Sequence, residues 1–344
     1  MVDRTNNLYL YDISRVKPYL IDLTNGREKT ILITGATGLI GSFMVDAIAE
    51  FNRSSISGKI ELFITTRDKK RALKRFKGEQ INESNVIEMD ICNGFPGESN
   101  YDYIIHLASN ADPGAYKAFP YETIKTNIAG AMHMAEYLKE HKATRAIMTS
   151  TMEVYGETEL DSIKENDYGR LDFNSIRAGY PESKRTAELL LRSAVHEYGI
   201  NCIIARLGYI YGPTMRAQDN KIMAEMIRRG KNGEQIELRT SGAQRRTYCY
   251  VSDAVNALLC LLKKGIPGEV YNVADRYSET TIREAAELIS RIAGVECSIH
   301  SEEMERTITN AVLESSKIER LGWEAQVHLE EGVRRSITGW LPDD

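Results

Sequence analysis

The chain has 344 residues, and its 44 Lys and Arg residues against 49 Asp and Glu residues give a formal net charge of −5. Hydrophobic residues make up 42% and charged residues 27%, which is ordinary globular usage and excludes a disordered chain. We expect neither a nucleic-acid polymer nor a membrane as partner, because the charge is acidic and no apolar run approaches the ~20 residues of a membrane span. The five cysteines are scattered without a C-x-x-C pair, so we expect reduced thiols in a cytoplasmic protein.

Residues 1–28 form a polar segment that we interpret as an N-terminal extension. From residue 30 onwards, short apolar runs alternate with longer segments in which apolar residues recur at helical spacing. The predicted strands are residues 30–34, 60–65, 86–89, 103–107, 146–150 and 202–205, and the predicted helices are residues 40–51, 69–76, 121–141 and 181–198. Near-continuous apolar strands alternating with helices predict a doubly wound parallel sheet, the α/β Rossmann fold.

The segment TGATGLIG, residues 34–41, joins the first predicted strand to the first predicted helix. Gly35 permits a tight turn, Gly38 lets the backbone approach a pyrophosphate, and Gly41 allows the helix to pack closely on the sheet. The helix N-terminus then presents unpaired N–H groups to the phosphates. The motif therefore predicts a dinucleotide site. Its residues are Gly35, Thr37, Gly38, Leu39, Ile40 and Gly41.

The end of the second predicted strand bears on the choice between NAD and NADP. An acidic residue there usually binds the ribose hydroxyls of NAD. This strand is instead followed by Arg67, which suits a 2′-phosphate or is a solvated charge at a helix start. Asp90 and Ile91 follow the third strand, where they suit the edge of the adenine. We predict NAD, and Arg67 leaves NADP open.

Tyr180 and Lys184 stand four residues apart, so they lie on one face of a predicted helix. A neighbouring ammonium group favours the phenolate, which makes a tyrosine usable as a general base near neutral pH. Tyr121 and Lys125 have the same spacing, but they precede the fifth predicted strand. Tyr180 follows that strand, after Thr151 has placed a hydroxyl at the ligand edge of the sheet. We therefore predict that Tyr180, Lys184 and Thr151 are catalytic.

The pattern changes after residue 206, where glycines separate shorter segments before a strand at 269–274 and a helix at 281–293. We interpret residues 29–206 as the Rossmann dinucleotide-binding domain, which also holds the catalytic residues. Residues 207–344 are interpreted mainly as a smaller C-terminal α/β substrate lobe, interlaced with the first domain. At roughly 150 residues per domain, the length of the chain fits this division.

Seven motifs occur in order along the chain. They are TGATGLIG at 34–41, HLA at 106–108, TN at 126–127, STMEVYG at 150–156, YPESK at 180–184, YGP at 211–213 and RTYCYVSD at 246–253. Together they resemble the extended short-chain dehydrogenase/reductase family of nucleotide-sugar epimerases, dehydratases and decarboxylases, over about residues 29–340. The chain looks closest to the UDP-glucuronate decarboxylase branch. The resemblance implies that Leu107, Ala108, Ser109 and Asn127 line the NAD site, together with Tyr180 and Lys184.

The resemblance also implies a reaction that begins with transient oxidation of a UDP-type sugar at C4. Thr151, Tyr180 and Lys184 would be the hydroxyl, the base and the lysine of that oxidation, and the hydride would pass to the nicotinamide and later return. Glu153 falls where dehydratases and decarboxylases carry a glutamate, and where many 4-epimerases carry a small residue. It would handle a proton at sugar C5 or orient the pyranose. The alternative for Glu153 is a turn-exposed side chain.

Three departures from the family pattern bear on the reaction. Met152 stands where 4,6-dehydratases have the aspartic acid that protonates the leaving hydroxyl, which disfavours simple dehydration. Tyr209 stands where the family usually has asparagine beside the nucleotide diphosphate. The arginine that decarboxylases use near the C-terminal lobe has no counterpart in residues 309–318, although Arg306 lies just upstream.

An acidic protein needs local cations to hold the diphosphate of a nucleotide-sugar substrate. Arg246 matches the phosphate-binding arginine of the family, and Arg216 and Lys221 are further candidates. With Thr151, Met152, Glu153 and Tyr209, these residues form the predicted substrate site. The six histidines show no metal-ligand spacing, so we predict no metal. In the family's dimers the helices that correspond to 121–141 and 181–198 pair between subunits, which implies a homodimer, although both apolar stripes would be buried equally well against their own sheet.

Several functions stay open at this point. Decarboxylation of UDP-glucuronate and C4 epimerisation of a UDP-sugar compete as the leading hypotheses, and dehydration is third. An NADPH-dependent reductase of a keto-sugar or another carbonyl is a further alternative, supported by Arg67. A non-catalytic dinucleotide-sensing scaffold is the alternative outside catalysis, and the intact set of Thr151, Tyr180 and Lys184 argues against it.

Overall fold

A parallel sheet of seven strands forms the centre of the computed structural model, which describes residues 3–76, 81–97, 99–141, 144–300 and 310–339. The strands are β1 (Lys29–Thr34), β2 (Ile60–Thr66), β3 (Val86–Glu88), β4 (Tyr103–His106), β5 (Arg145–Thr151), β6 (Cys202–Leu207) and β10 (Val270–Val273). They lie in the order β10-β6-β5-β4-β1-β2-β3, so the direction of winding reverses between β1 and β4. Ligands of such sheets bind in the crevice at the carboxyl ends of the strands, next to this reversal.

Helices and shorter strands complete the part of the chain that the structure describes. The helices are α1 (Asn7–Ser14), α2 (Lys17–Thr24), α3 (Leu39–Ser54), α4 (Lys69–Arg75), α5 (Pro113–Ala118), α6 (Pro120–Glu140), α7 (Gly179–Tyr198), α8 (Ile222–Lys231), α9 (Val251–Lys264), α10 (Ile282–Ala293), α11 (Ser316–Glu319) and α12 (Leu329–Gly339). The remaining strands are β7 (Tyr209–Tyr211), β8 (Ile236–Leu238), β9 (Arg245–Tyr250), β11 (Glu279–Thr281), β12 (Cys297–Ile299) and β13 (Asn310–Ala311). Within these described ranges, no helix combines the length and the apolar character that crossing a bilayer requires.

The main sheet is buried on both faces because successive residues of each strand point to opposite sides. Ile31 and Ile33 of β1 belong to one core together with residues of α3 and α9. Leu32, between them, belongs to a second core together with residues of α6 and α7. The predicted doubly wound α/β fold is therefore confirmed, and the near-continuous apolar character of the strands follows from this double burial.

The chain after residue 206 forms smaller sheets of its own and also adds a strand to the main sheet. β9 pairs with β7, β11 and β13 in a second sheet, and β8 pairs with β12. β10, however, joins the main sheet beside β6, and α9 packs on β5 and β6. The chain after residue 206 thus contributes a strand and a helix to the Rossmann unit. The domain boundaries at residues 28 and 206 stay a prediction.

The segment interpreted as an N-terminal extension contains two helices that dock on the dinucleotide helix and on α9. Tyr9 and Leu20 are fully buried, and the Tyr9 hydroxyl donates a 2.6 Å hydrogen bond to Asp46 of α3. Arg15 pairs with Asp253, at the start of α9, over 3.1 Å. This segment is therefore held on the core by a buried interface with ionic anchors.

Candidate active site

The dinucleotide loop connects β1 to α3 and touches the end of β4. Gly35 has φ +71°, and a Cβ built there would lie 2.7 Å from the backbone nitrogen of Ala108. At Gly41, a Cβ would lie 2.6 Å from Ala36 Cα, so α3 packs directly on the loop. Gly38 is the N-cap of α3 and supplies no side-chain cap. The first-turn amides of α3 are consequently available to phosphate groups.

The edge beyond β2 and β3 carries the three residues that we predict to contact the adenosine part of a dinucleotide. Arg67 is exposed just after β2, and Ile91 is buried in the turn after β3. The Asp90 carboxylate accepts a 2.9 Å hydrogen bond from the backbone nitrogen of Cys92. This bond lowers the pKa of Asp90, and the charge of Arg67 acts in the same direction. The glycine cradle and this edge fit NAD.

A chain of hydrogen bonds links the predicted cofactor residues to the catalytic helix. Ser109 Oγ donates to Asn127 Oδ1 over 2.7 Å, and Asn127 Nδ2 donates to Ser183 Oγ over 2.9 Å. Ser183 Oγ in turn donates to the backbone oxygen of Tyr180 over 2.8 Å. Asn127 therefore fixes α7 against the end of β4, a role that the sequence did not reveal.

Tyr180 and Lys184 are both buried on α7, and Thr151 is the last residue of β5. Burial raises the pKa of Tyr180, and the charge of Glu153 adds to this, whereas hydrogen bonds with the side chains of Thr151 and Ser109 act in the opposite direction. Desolvation is the largest of these effects on the pKa of Tyr180, and the effect of Lys184 on the phenol stays a prediction. The three predicted catalytic side chains nevertheless meet at the ligand edge of the sheet.

The ammonium group of Lys184 is held by the backbone of β5. Lys184 Nζ donates a 2.9 Å hydrogen bond to the Thr149 oxygen. Burial lowers the pKa of Lys184 to about 8. Burial, followed by the charge of Lys184, also lowers the pKa of His106 to about 3, and His106 Nδ1 lies 2.9 Å from Thr34 Oγ1. His106 is therefore a packed, neutral side chain near physiological pH.

Glu153 is the centre of a polar cluster that sequence reasoning found only in part. The Tyr116 hydroxyl donates to Glu153 Oε1 over 3.4 Å, and Arg177 Nη2 lies 3.6 Å from Glu153 Oε2. The Tyr116 ring stacks on Tyr180, with centroids 4.9 Å apart and planes at 9°. Burial raises the pKa of Glu153, while the charge of Arg177 opposes this. The alternative of a turn-exposed Glu153 is excluded, because only 17% of its side chain is exposed.

Tyr116 and Arg177 were missed by the sequence analysis. Tyr116 lies on the short helix α5 and belongs to none of the seven family motifs. Arg177 lies on a short turn just before α7, and its place three residues before Tyr180 is the one feature that could have drawn attention to it.

The predicted substrate residues of the smaller lobe approach the same cluster. The Arg246 guanidinium lies 4.2 Å from the centre of the Tyr209 ring, and its charge reaches Glu153. Lys221 Nζ lies 3.9 Å from Asp219 and also acts electrostatically on Glu153. These side chains therefore surround Glu153 with positive charge.

Two predicted substrate residues have other surroundings. Met152 is buried in a small apolar cluster with Ala311 and Leu313. Arg216 donates 3.3 Å hydrogen bonds to the backbone oxygen and Oγ1 of Thr37, so it adjoins the dinucleotide loop. Arg306 lies outside the described residues.

Comparison with known proteins gives the site its context. A model of the NAD dependent epimerase/dehydratase family matches residues 31–274. UDP-glucuronic acid decarboxylase 5 of Arabidopsis thaliana is 33% identical over 307 residues, which cover 88% of this chain and 86% of that protein. UDP-glucuronic acid decarboxylase 1 of Xenopus tropicalis is 32% identical over 318 residues, covering 92% of this chain and 73% of that protein. These findings confirm the resemblance to the extended short-chain dehydrogenase/reductase family and to its decarboxylase branch.

Solved structures share the fold. The UDP-glucose 4-epimerase of Thermotoga maritima, solved with UDP-glucose, is 26% identical with a TM-score of 0.75, covering 90% of this chain and 97% of its own. A dTDP-glucose 4,6-dehydratase of Bacillus anthracis, solved with NAD, is 22% identical with a TM-score of 0.73, covering 90% of this chain and 96% of its own. Because the family match spans the main sheet and relatives one-third identical extend over most of the chain, this protein is a member of the NAD-dependent epimerase/dehydratase family, an enzyme whose cofactor is NAD.

Proposed function

We propose that this enzyme decarboxylates UDP-glucuronate. The observation that carries the proposal is the buried Glu153 carboxyl group beside the Tyr180 phenol, at the position where the decarboxylase branch carries a glutamate. The identity of 33% to a plant UDP-glucuronic acid decarboxylase supports the same reaction. The two phenols and the carboxyl group form one continuous cluster, because Tyr116 touches both Tyr180 and Glu153.

In the proposed reaction, Tyr180 acts as a phenolate that has already released its own proton to solvent, a form that the positive charges of Lys184 and of oxidised nicotinamide would favour against the desolvation that raises its pKa. The phenolate accepts the proton of the sugar C4 hydroxyl, and Thr151 shares that proton. Bound NAD supplies a nicotinamide that takes the C4 hydride and later returns it. A ketone at C4 makes the C6 carboxylate a β-keto acid, so the C5–C6 bond breaks with release of CO2 and leaves its electron pair as an enolate. Glu153, whose pKa is raised by burial, supplies the proton that C5 then needs. Lys184 keeps a positive charge below the site near neutral pH.

We assign the remaining side chains to binding. Arg246 and Lys221 would hold the diphosphate, with Tyr209 beneath the Arg246 guanidinium. Arg216 lies next to Thr37 and serves the junction of substrate and cofactor. Met152 stays in the proposed substrate site only through its place in the chain between Thr151 and Glu153, because its side chain packs in an apolar cluster. The proposed cofactor contacts are Gly35, Thr37, Gly38, Leu39, Ile40, Gly41, Arg67, Asp90, Ile91, Leu107, Ala108, Ser109, Asn127, Tyr180 and Lys184.

Turnover of UDP-glucuronate with NAD, followed by mass spectrometry, tests this function. We expect loss of CO2 and no net change in NAD, because the hydride returns to the sugar. Tyr180→Phe should abolish the reaction, whereas Tyr121→Phe, which alters the second Tyr-x-x-x-Lys pair at an exposed position, should leave it intact. Loss of water, net consumption of NADPH, or cofactor binding without turnover of any nucleotide sugar would each contradict the proposal.

C4 epimerisation is the second candidate. It is favoured by the lack of arginine in residues 310–318 and by the likeness to the Thermotoga maritima epimerase. A product of unchanged mass with a new anomeric NMR signal would identify it.

We further propose that the enzyme is a homodimer that works in the cytoplasm. A shallow groove between α6 and α7 is lined by Met132, Leu190 and Tyr198, and a second copy of the same helices would cover it. Analytical ultracentrifugation should show a dimer. Met132→Glu should dissociate this dimer, whereas Ile56→Glu, at another exposed site, should not.

All five cysteines are free thiols, which supports a reducing compartment. Imaging of a fluorescent fusion tests the proposed cytoplasmic location.

A further inference from the structure

The Arg177 guanidinium makes no hydrogen bond to any described residue, although it lies beside Glu153 in the candidate active site. Its guanidinium approaches Glu153 Oε2 to 3.6 Å, and 37% of its side chain is exposed. A separation of 3.6 Å is too long for a hydrogen bond, and Glu153 Oε2 is itself buried without a hydrogen-bond partner. Both partners of this ion pair therefore keep unused hydrogen-bonding capacity that faces the same space.

The backbone places Arg177 directly before the catalytic helix. Residues Ile176–Ala178 form a short turn that runs directly into α7, and Ala178 is buried. Arg177 consequently stands one short turn before Tyr180. Its charge acts on Glu153, on Tyr116 and on Tyr209, so the guanidinium lies near side chains that both the catalytic segment and the chain after residue 206 bring to the site.

A planar guanidinium with free N–H groups is suited to a carboxylate, which it binds through two parallel hydrogen bonds. Arg246 has a similar capacity, since its buried Nε lacks a hydrogen-bond partner among the described residues, but we assign it to the diphosphate. A neutral hexose would give Arg177 only hydroxyl acceptors in this place. The carboxylate of a sugar acid would instead accept hydrogen bonds from the N–H groups that Arg177 does not use in its loose pair with Glu153.

We propose that Arg177 is the specificity residue that binds the C6 carboxylate of a nucleotide-linked hexuronate and so separates this substrate class from neutral nucleotide-hexoses. The proposal rests on the proposed function and names the residue that selects its substrate. Glu153 in its acid form would donate a hydrogen bond to the same carboxylate, so the two carboxyl groups would share one proton beside the guanidinium.

Equilibrium binding to the NAD-loaded protein tests this role. The Tyr180→Phe variant serves as background, because it binds without turnover, and UDP-glucuronate, UDP-glucose and UDP are titrated in turn. Replacing Arg177 by Gln removes a charge-assisted contact and should weaken UDP-glucuronate binding by about 10- to 100-fold, with UDP-glucose and UDP changed less than about twofold. Arg177→Lys should retain part of the preference, since it keeps the charge without the planar fork.

Arg170→Gln is the matched control, because Arg170 is an exposed arginine in the segment that leads to α7 and none of its side-chain contacts involves the site. It should leave all three affinities unchanged. Equal weakening of all three ligands by Arg177→Gln would overturn the proposal, since Arg177 would then only organise the cleft. Unchanged affinities, or a parent protein that binds UDP-glucuronate no better than UDP-glucose, would also overturn it.

The proposed function is judged separately, by release of CO2 from UDP-glucuronate by the unmodified enzyme. An epimerase of a UDP-hexuronate would retain the Arg177-dependent preference while releasing no CO2. A decarboxylase in which Arg177→Gln leaves the preference intact would keep the function and refute the role of Arg177.

Discussion

The burial of the Lys184 ammonium group can be tested by measuring protein stability. Lys184 is 3% exposed, and burial lowers its pKa from 10.5 to about 8. At 1.36 kcal/mol per pH unit, this difference corresponds to a cost of about 3 kcal/mol for burying the charged form. Lys184→Met removes the charge, keeps a side chain of similar length, and loses the hydrogen bond to the Thr149 oxygen, which contributes about 1 kcal/mol. The variant should therefore be more stable than the parent at pH 7, by about 2 kcal/mol.

The sign of the pH dependence follows from proton binding by the folded and unfolded chains. Below about pH 8, Lys184 is protonated in both states, so the full cost of burying its charge is present. Between about pH 8 and 10.5, the unfolded chain binds a proton that the folded protein does not, so the parent gains stability relative to the variant. The advantage of Lys184→Met should shrink to well below 1 kcal/mol near pH 9.5.

Urea unfolding of both proteins without added NAD, at pH 7 and at pH 9.5, measures this difference directly, since bound NAD would add linked stability. Lys125→Met replaces an exposed lysine and should change the free energy of unfolding by less than about 0.5 kcal/mol at either pH. A Lys184→Met protein that is less stable than the parent at pH 7, or whose advantage is the same at both pH values, would refute the reasoning.

Two further substitutions test the dinucleotide loop and the N-terminal helices. Gly35→Ala should weaken NAD binding by at least about tenfold, because φ +71° costs an L-residue roughly 1–2 kcal/mol and the methyl group would meet Ala108. Gly199 has a similar φ of +66° but lies in open space, so Gly199→Ala is the control and should leave the NAD affinity measured by calorimetry unchanged. An NAD affinity of Gly35→Ala equal to that of the parent would contradict the assignment of this loop to NAD binding. Leu20→Ala should lower the free energy of unfolding in urea by about 2–5 kcal/mol, against less than about 0.5 kcal/mol for the exposed Ile21→Ala. Equally small effects of the two would mean that α2 does not dock on the core.

Local sequence patterns carried the prediction of the fold and of the cofactor loop. The glycines at 35, 38 and 41 and the strand and helix around them lie within one short stretch of chain, so their geometry follows from backbone conformation alone. The same holds for Tyr180 and Lys184, which share a helix face because of their spacing. These features were predictable because each depends on residues close together in sequence.

The electrostatics of the site were less predictable. Neighbouring lysine and tyrosine suggested an acidic phenol, but desolvation in the folded protein raises the pKa of Tyr180. The extent of burial depends on how α5, α7 and the β5 turn pack together, and sequence spacing carries no measure of it.

By itself, the sequence determined the doubly wound sheet, the dinucleotide loop, the family and the helical pairing of Tyr180 with Lys184. Only the tertiary structure decided that Tyr116 and Arg177 meet at Glu153, and that residues 7–24 form helices anchored on α3 and α9. The physical reason is the range of the interactions. Backbone conformation and apolar periodicity are set by near neighbours, whereas contacts between separate loops arise only when the burial of the whole core fixes the loops against one another.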